Sequence, residues 1–126
     1  MGNKKPILFI RADGGSALGL GHLVRCISLA HMLINDFSIH FFAFEIPEAL
    51  KGEINQNGWL VTVLEKESDF LNKLTGNEIV VLDGYQFDSD YQKQIKSKGC
   101  KWVCIDDFHD QHFYADLVIN HAPGVT

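Results

Sequence analysis

Short apolar runs alternate along this chain with longer amphipathic stretches, and that rhythm leaves few folds open. Ile7–Ile10 is a continuous apolar run, as a strand buried on both faces requires. Leu23, Cys26, Ile27, Ala30, Leu33 and Ile34 then recur at helical spacing. They predict a helix from His22 to about Ile34, ending at Asn35-Asp36. Further strands are predicted over Ile39–Phe44, Trp59–Leu64, Ile79–Leu82, Trp102–Ile105 and Leu117–Ile119. Helices are predicted over Pro47–Gln56, Ser68–Leu74 and Ser89–Lys98. Strands alternating with helices predict an α/β fold, a Rossmann-like parallel sheet with helices on both faces. The 126 residues suit one domain, and no repeat or linker divides them. The final residues, Ala122-Pro123-Gly124-Val125-Thr126, contain a Pro-Gly turn that leads onward, so a further segment is expected.

Charge narrows the function classes. Eleven Lys+Arg face sixteen Asp+Glu, a net charge of −5, so clustered positive charge for nucleic acid is not expected, nor attraction to anionic lipid. No apolar run is long enough to span a bilayer, and the one after Met1–Pro6 is too short for a signal-peptide core. Three cysteines cannot all pair with one another and follow no scaffold spacing, so a reducing cytoplasm is expected.

In open parallel sheets, ligands bind beyond the carboxyl ends of the strands. The polar residues gather there: Arg11-Ala12-Asp13-Gly14-Gly15, Asp83-Gly84-Tyr85, Asp106-Asp107 and Asn120-His121. Asp and Gly also end strands and cap helices without any ligand. The first loop says most, with glycines at 14, 15, 19 and 21 between a strand and a helix. It is neither a dinucleotide fingerprint, because Val24 stands where the third glycine belongs, nor a Walker A loop. An anion-binding turn and a tight turn without ligand both fit it. His22 begins the helix, where the dipole disfavours imidazolium, so a neutral ring able to take a proton from water fits. Arg25, three residues on, shares its face. The plainer reading is a capping histidine and a surface ion pair.

No metal site is expected. Cys100 and Cys104 lack a second matching pair. His109, His112 and the nearby aspartates fit a solvated loop better than a ligand set, and Cys26 reads as core.

The run Arg11–Ala30 (RADGGSALGLGHLVRCISLA) resembles the N-terminal signature of PseG-type UDP-sugar hydrolases, to which SpsG-type proteins are related. Val80–Asp88 resembles that family's D-S-Y-x-x-D segment, with Gly84 in place of the usual Ser. Val103–Asp107 and Ala115–Asn120 resemble its I-D-D and C-D-L-V-x-N segments. The resemblance covers nearly the whole chain in the right order. It implies that residues 1–126 are the N-terminal Rossmann-like domain of a GT-B (MurG-like) enzyme, whose C-terminal nucleotide-binding domain is absent from this chain. It implies metal-free, cofactor-free, inverting hydrolysis of a UDP-linked 2,4-diacetamido-2,4,6-trideoxy sugar in pseudaminic acid or related surface-polysaccharide biosynthesis. His22 maps onto the family's general base, and Tyr85 onto a substrate contact. Together the two readings give His22 as catalytic residue, and Arg11, Asp13, Gly19, Gly21, Arg25, Asp83, Tyr85 and Asp107 as substrate contacts. The expected partners are the UDP-sugar and the missing domain, without which full activity is not expected. A glycosyltransferase half and a non-catalytic nucleotide-sugar-binding module are the competing readings.

Overall fold

The computed structural model describes residues 5–14, 21–83, 89–106 and 117–120, with backbone alone at 22, 89, 102, 104–106 and 117–120. The elements run β1 (Ile7–Ala12), α1 (Gly21–Leu33), β2 (Ser38–Ala43), α2 (Glu48–Gln56), β3 (Leu60–Val63), α3 (Glu67–Leu71), β4 (Ile79–Asp83), α4 (Ser89–Ser97), β5 (Lys101–Asp106) and β6 (Leu117–Asn120). The strands form one sheet in the order β3-β2-β1-β4-β5-β6. Every neighbouring pair is parallel. This is the Rossmann-like α/β architecture that the alternating pattern predicts.

Side-chain alternation along each strand divides the core into two layers. Leu8, Ile10, Ala12, Ile39, Phe41 and Val81 meet Leu23, Cys26, Ile27 and Ala30 of α1 and Ile54 of α2 on one face. Phe9, Phe42, Val80 and Leu82 meet Phe70 and Leu71 of α3 and Tyr91 and Ile95 of α4 on the other. Both faces are therefore covered, which accounts for apolar runs without polar alternation in β1 and β4.

Most boundaries differ from the predicted ones by a residue, and at β1, β4 and α3 the difference has a physical reason. β1 continues past its apolar run through Arg11, which pairs with Phe42 on one side and Leu82 on the other. β4 likewise reaches Asp83, opposite Ala12. Both charges meet an opposite charge inside the fold, so each is held within its strand. α3 stops at Leu71 because the chain tightens there: Lys73 and Leu74 donate their N–H groups to Phe70 and Leu71, three residues back. Leu74 stays buried in that turn.

At the amino edge, Glu78 is buried and accepts the Thr75 N–H at 2.9 Å and the Thr75 hydroxyl at 2.6 Å. Burial opposes its ionisation, but these donors prevail and lower its pKa. The turn beside it needs glycine. Gly76 has φ +101°, and a Cβ there would lie 2.8 Å from the Lys98 carbonyl oxygen. Gly58 also has positive φ, +82°, but open space around it. Gly76→Ala should therefore cost more than Gly58→Ala, roughly 3 kcal/mol against 1, as measured by urea denaturation.

His40 packs its ring on Phe42 at 4.2 Å and lies 2.7 Å from the Thr62 hydroxyl, joining β2 to the edge strand β3. Burial and then the Lys73 ammonium lower its pKa from 6.5. The unfolded chain thus binds this proton more readily than the folded one. Its contribution is complete above about pH 6.5 and is lost as pH falls toward the lower folded pKa. Denaturant melts from pH 7.5 to 5 should show a shallower decline for His40→Gln than for the parent.

Candidate functional site

The switch point of this sheet lies between β1 and β4. From β1 the chain crosses to β2 through α1 on one face, and from β4 it crosses to β5 through α4 on the other. In open α/β sheets such a point, beyond the carboxyl ends of the strands, is where ligands bind. Arg11, Asp13, Gly14 and Asp83 stand at that edge.

Asp83 ends β4 facing α1 and is fully buried. Arg25 of α1 donates to it through Nε at 2.7 Å and Nη2 at 2.5 Å, a two-point fork. The Cys26 thiol donates to Asp83 Oδ2 at 3.4 Å. Burial, reinforced by the Asp83 carboxylate, pushes the Cys26 pKa well above its ordinary value, so Cys26 is a neutral thiol.

A second ionic cluster occupies the opposite face. Arg11 is fully buried, with Nη1 donating to Asp13 Oδ1 at 2.9 Å and Nη2 to Glu67 Oε2 at 3.0 Å. Burial alone would lower its pKa; Asp13 and Glu67 outweigh that and raise it. The guanidinium carbon lies 4.9 Å from the centre of the Phe44 ring. Asp13 Oδ1 also accepts the Phe44 N–H at 2.6 Å, and the Gly14 N–H donates to the Glu45 carbonyl at 3.0 Å. Tyr91 of α4 completes the cluster, its phenol pKa pushed far up by burial and by the Glu67 carboxylate. Through these contacts β1, the end of β2, α3 and α4 are tied at one rim.

The candidate residues of the sequence separate accordingly. Asp13 and Asp83 both lie on the carboxyl edge, but each is engaged by an arginine. The Arg11 guanidinium is buried under the rim, where β1 carries it toward Asp13 and Glu67. Arg25 is not a bare surface cation, since Asp83 holds one side of it. His22 is the second residue of α1, and its backbone stands one turn ahead of Arg25 and Cys26. Those two residues dock at the end of β4, so the start of α1 lies beyond the strand edge. Gly21 is exposed, and a Cβ there would meet nothing within 4 Å. Gly19, Tyr85 and Asp107 lie outside the described residues, as do His109, His112 and His121. Sequence reading missed Glu67, Phe44 and Tyr91. Only the unusual Arg11 at the end of a buried strand signals that carboxylates must come to it. A groove of about 430 Å³, lined by Thr62, Leu64, Asp69 and Lys73 among others, opens at the outer strand β3 rather than at the switch point. Among the described residues, no three His, Cys, Asp or Glu side chains are grouped to hold a metal ion, and no helix is long and apolar enough to cross a membrane.

Comparison with known proteins adds one relative. The chain is 29% identical over 120 residues to the uncharacterized protein MJ1062 of Methanocaldococcus jannaschii. The match covers 91% of this chain and 25% of that protein, so the chain spans about a quarter of the relative's length. No family model matches the chain, and no solved structure does.

Removing Arg11 would take the shared cation away from the buried Asp13 carboxylate and the half-buried Glu67 carboxylate. Arg11→Met should destabilise the fold by about 3–5 kcal/mol. Lys51→Ala, which removes an exposed pair with Glu48 at 3.9 Å, should change little. Urea denaturation of the two variants side by side checks this contrast.

Proposed function

We propose that this chain is the N-terminal half of a GT-B nucleotide-sugar hydrolase, acting on a UDP-linked 2,4-diacetamido-2,4,6-trideoxy sugar in the cytoplasm, in pseudaminic acid or related polysaccharide biosynthesis. The observation that carries the reading is the position of His22: at the start of the first crossover helix, beyond the carboxyl edge, at the sheet's switch point. The motif resemblance supports the substrate class. The quarter-length match to MJ1062 is consistent with a chain that works as part of a larger protein.

In this reading, His22 accepts a proton from water as the water oxygen bonds to the anomeric carbon. The anomeric C–O bond breaks on the opposite side, and its electron pair leaves on the diphosphate of UDP. The sugar is released as the free hemiacetal with inverted configuration. The glycine-rich turn and the N–H groups at the start of α1 favour the charge that develops on the leaving diphosphate. Gly21 keeps the helix start bare, so that the diphosphate can approach the backbone. Arg11 and Asp13 shape the rim from beneath.

The test uses the intact protein that carries this chain. It should release UDP from the UDP-sugar with water as sole acceptor, and His22→Asn should lower that rate at least about 100-fold. Turnover retained in His22→Asn removes His22 from the mechanism. UDP release only when an acceptor alcohol is added indicates the transferase, and binding without turnover indicates the module. Because the Gly21 position is open, Gly21→Val should leave the melting temperature nearly unchanged while weakening UDP-sugar binding about ten-fold or more in calorimetry. Unchanged binding would exclude the diphosphate from that turn.

A further inference from the structure

Asp83 is a buried carboxylate for which the chemistry above has no direct use. It is fully buried, and both its oxygens are engaged by α1: Oδ1 by Arg25 Nη2, and Oδ2 by Arg25 Nε and the Cys26 thiol. A group held this way is poorly placed to touch substrate or accept a proton from water. It is well placed to hold the helix that donates to it.

The rest of α1 docks through Leu23, Ile27 and Ala30, all buried aliphatic contacts. Such contacts are strong but non-directional, and fix a seating less specifically than hydrogen bonds do. The contacts to Asp83 are directional. The fork from Arg25 sets a plane and a height along the axis. The thiol of the next residue reaches the same carboxylate from about 100° further round the helix, which sets rotation. A buried ion pair is a poor source of net stability, because apolar packing of equal volume serves as well. Its distinctive yield is a single seating.

We infer that Asp83 is a positioning residue: through Arg25 and Cys26 it seats the first turns of α1 against the end of β4, and so sets where His22 stands. The seating stands on the geometry of α1 and β4; its catalytic consequence rests on the reading of His22 given above. His22 precedes the anchoring pair by one turn, so a slide of the anchor is transmitted to it through rigid helix. Misplacement of a reacting group by about 1 Å can cost on the order of 100-fold in rate.

The test is made on the intact protein with two readouts. The first is the His22 ring resonance, assigned by its loss in His22→Asn. Asp83→Asn, and Arg25→Lys, which keeps the charge but loses the fork, should each move that resonance while that of His40, on β2, stays in place. The second is UDP release. Both variants should lower kcat about ten-fold or more, with KM within about two-fold, and displace the pH profile of kcat. Should Asp83→Asn fail to fold, Arg25→Lys, on a partly exposed side chain, carries both measurements. A His22 resonance unmoved in every folded variant overturns the seating, whatever happens to turnover. A resonance that moves with kcat and its pH profile unchanged overturns the positioning role. Turnover retained in His22→Asn instead overturns the catalytic reading, and the resonance alone then decides the seating.

Discussion

A guanidinium carried into the interior has to meet carboxylates there, and much of the carboxyl rim is arranged around that need. β1 is the strand on which the sheet is centred, with β2 and β4 on its two sides, and its next-to-last residue is Arg11 rather than an aliphatic residue. Asp13 turns back to it from the following loop, and Glu67 reaches it from the first turn of α3. Phe44 covers the cation, and its own N–H is tied to Asp13. An aliphatic residue at position 11 would fill the volume but would give α3 and the loop after β2 no directional reason to converge. Leaving such a charge without partners inside the protein costs several kcal/mol, so the partners are part of the fold.

The two ionic clusters sit on opposite faces of one sheet, at the same edge. Arg11, Asp13 and Glu67 lie on the face of α3 and α4; Asp83, Arg25 and Cys26 lie on the face of α1. Both are polar insertions into layers that are mainly apolar. They lie where the connections of β1 and β4 diverge, which is where an α/β sheet leaves room for a ligand. Apolar packing secures the sheet along its length, and charge secures its rim.

The sheet was legible in the residues because its strands are apolar runs bounded by turn formers. Six strands and four helices follow from periodicity. The ends of β1 and β4 were harder, since Arg11 and Asp83 look like strand terminators until their partners are known. Periodicity also places Cys26 in the core, correctly, but does not show that its sulfur faces a carboxylate. The distinction between a residue at the rim and a residue available to a ligand was not legible. Asp83 and Arg25 are adjacent only because α1 folds over β4, a contact between positions fifty-eight residues apart. Glu67 was missed because its local sequence, Glu65-Lys66-Glu67-Ser68-Asp69, reads as an ordinary exposed helix start.

The placement of β1 between β2 and β4 also gives its contacts very different chain separations. β2 reaches β1 through a short crossover, whereas Glu67 is fifty-six residues from Arg11 along the chain. Pairing across longer chain segments pays a larger closure entropy, so local units tend to form first. Of the two carboxylates on Arg11, Asp13 is two residues away and closes almost no loop, whereas Glu67 closes a long one. The rim cluster therefore joins a local contact to a distant one through a single guanidinium.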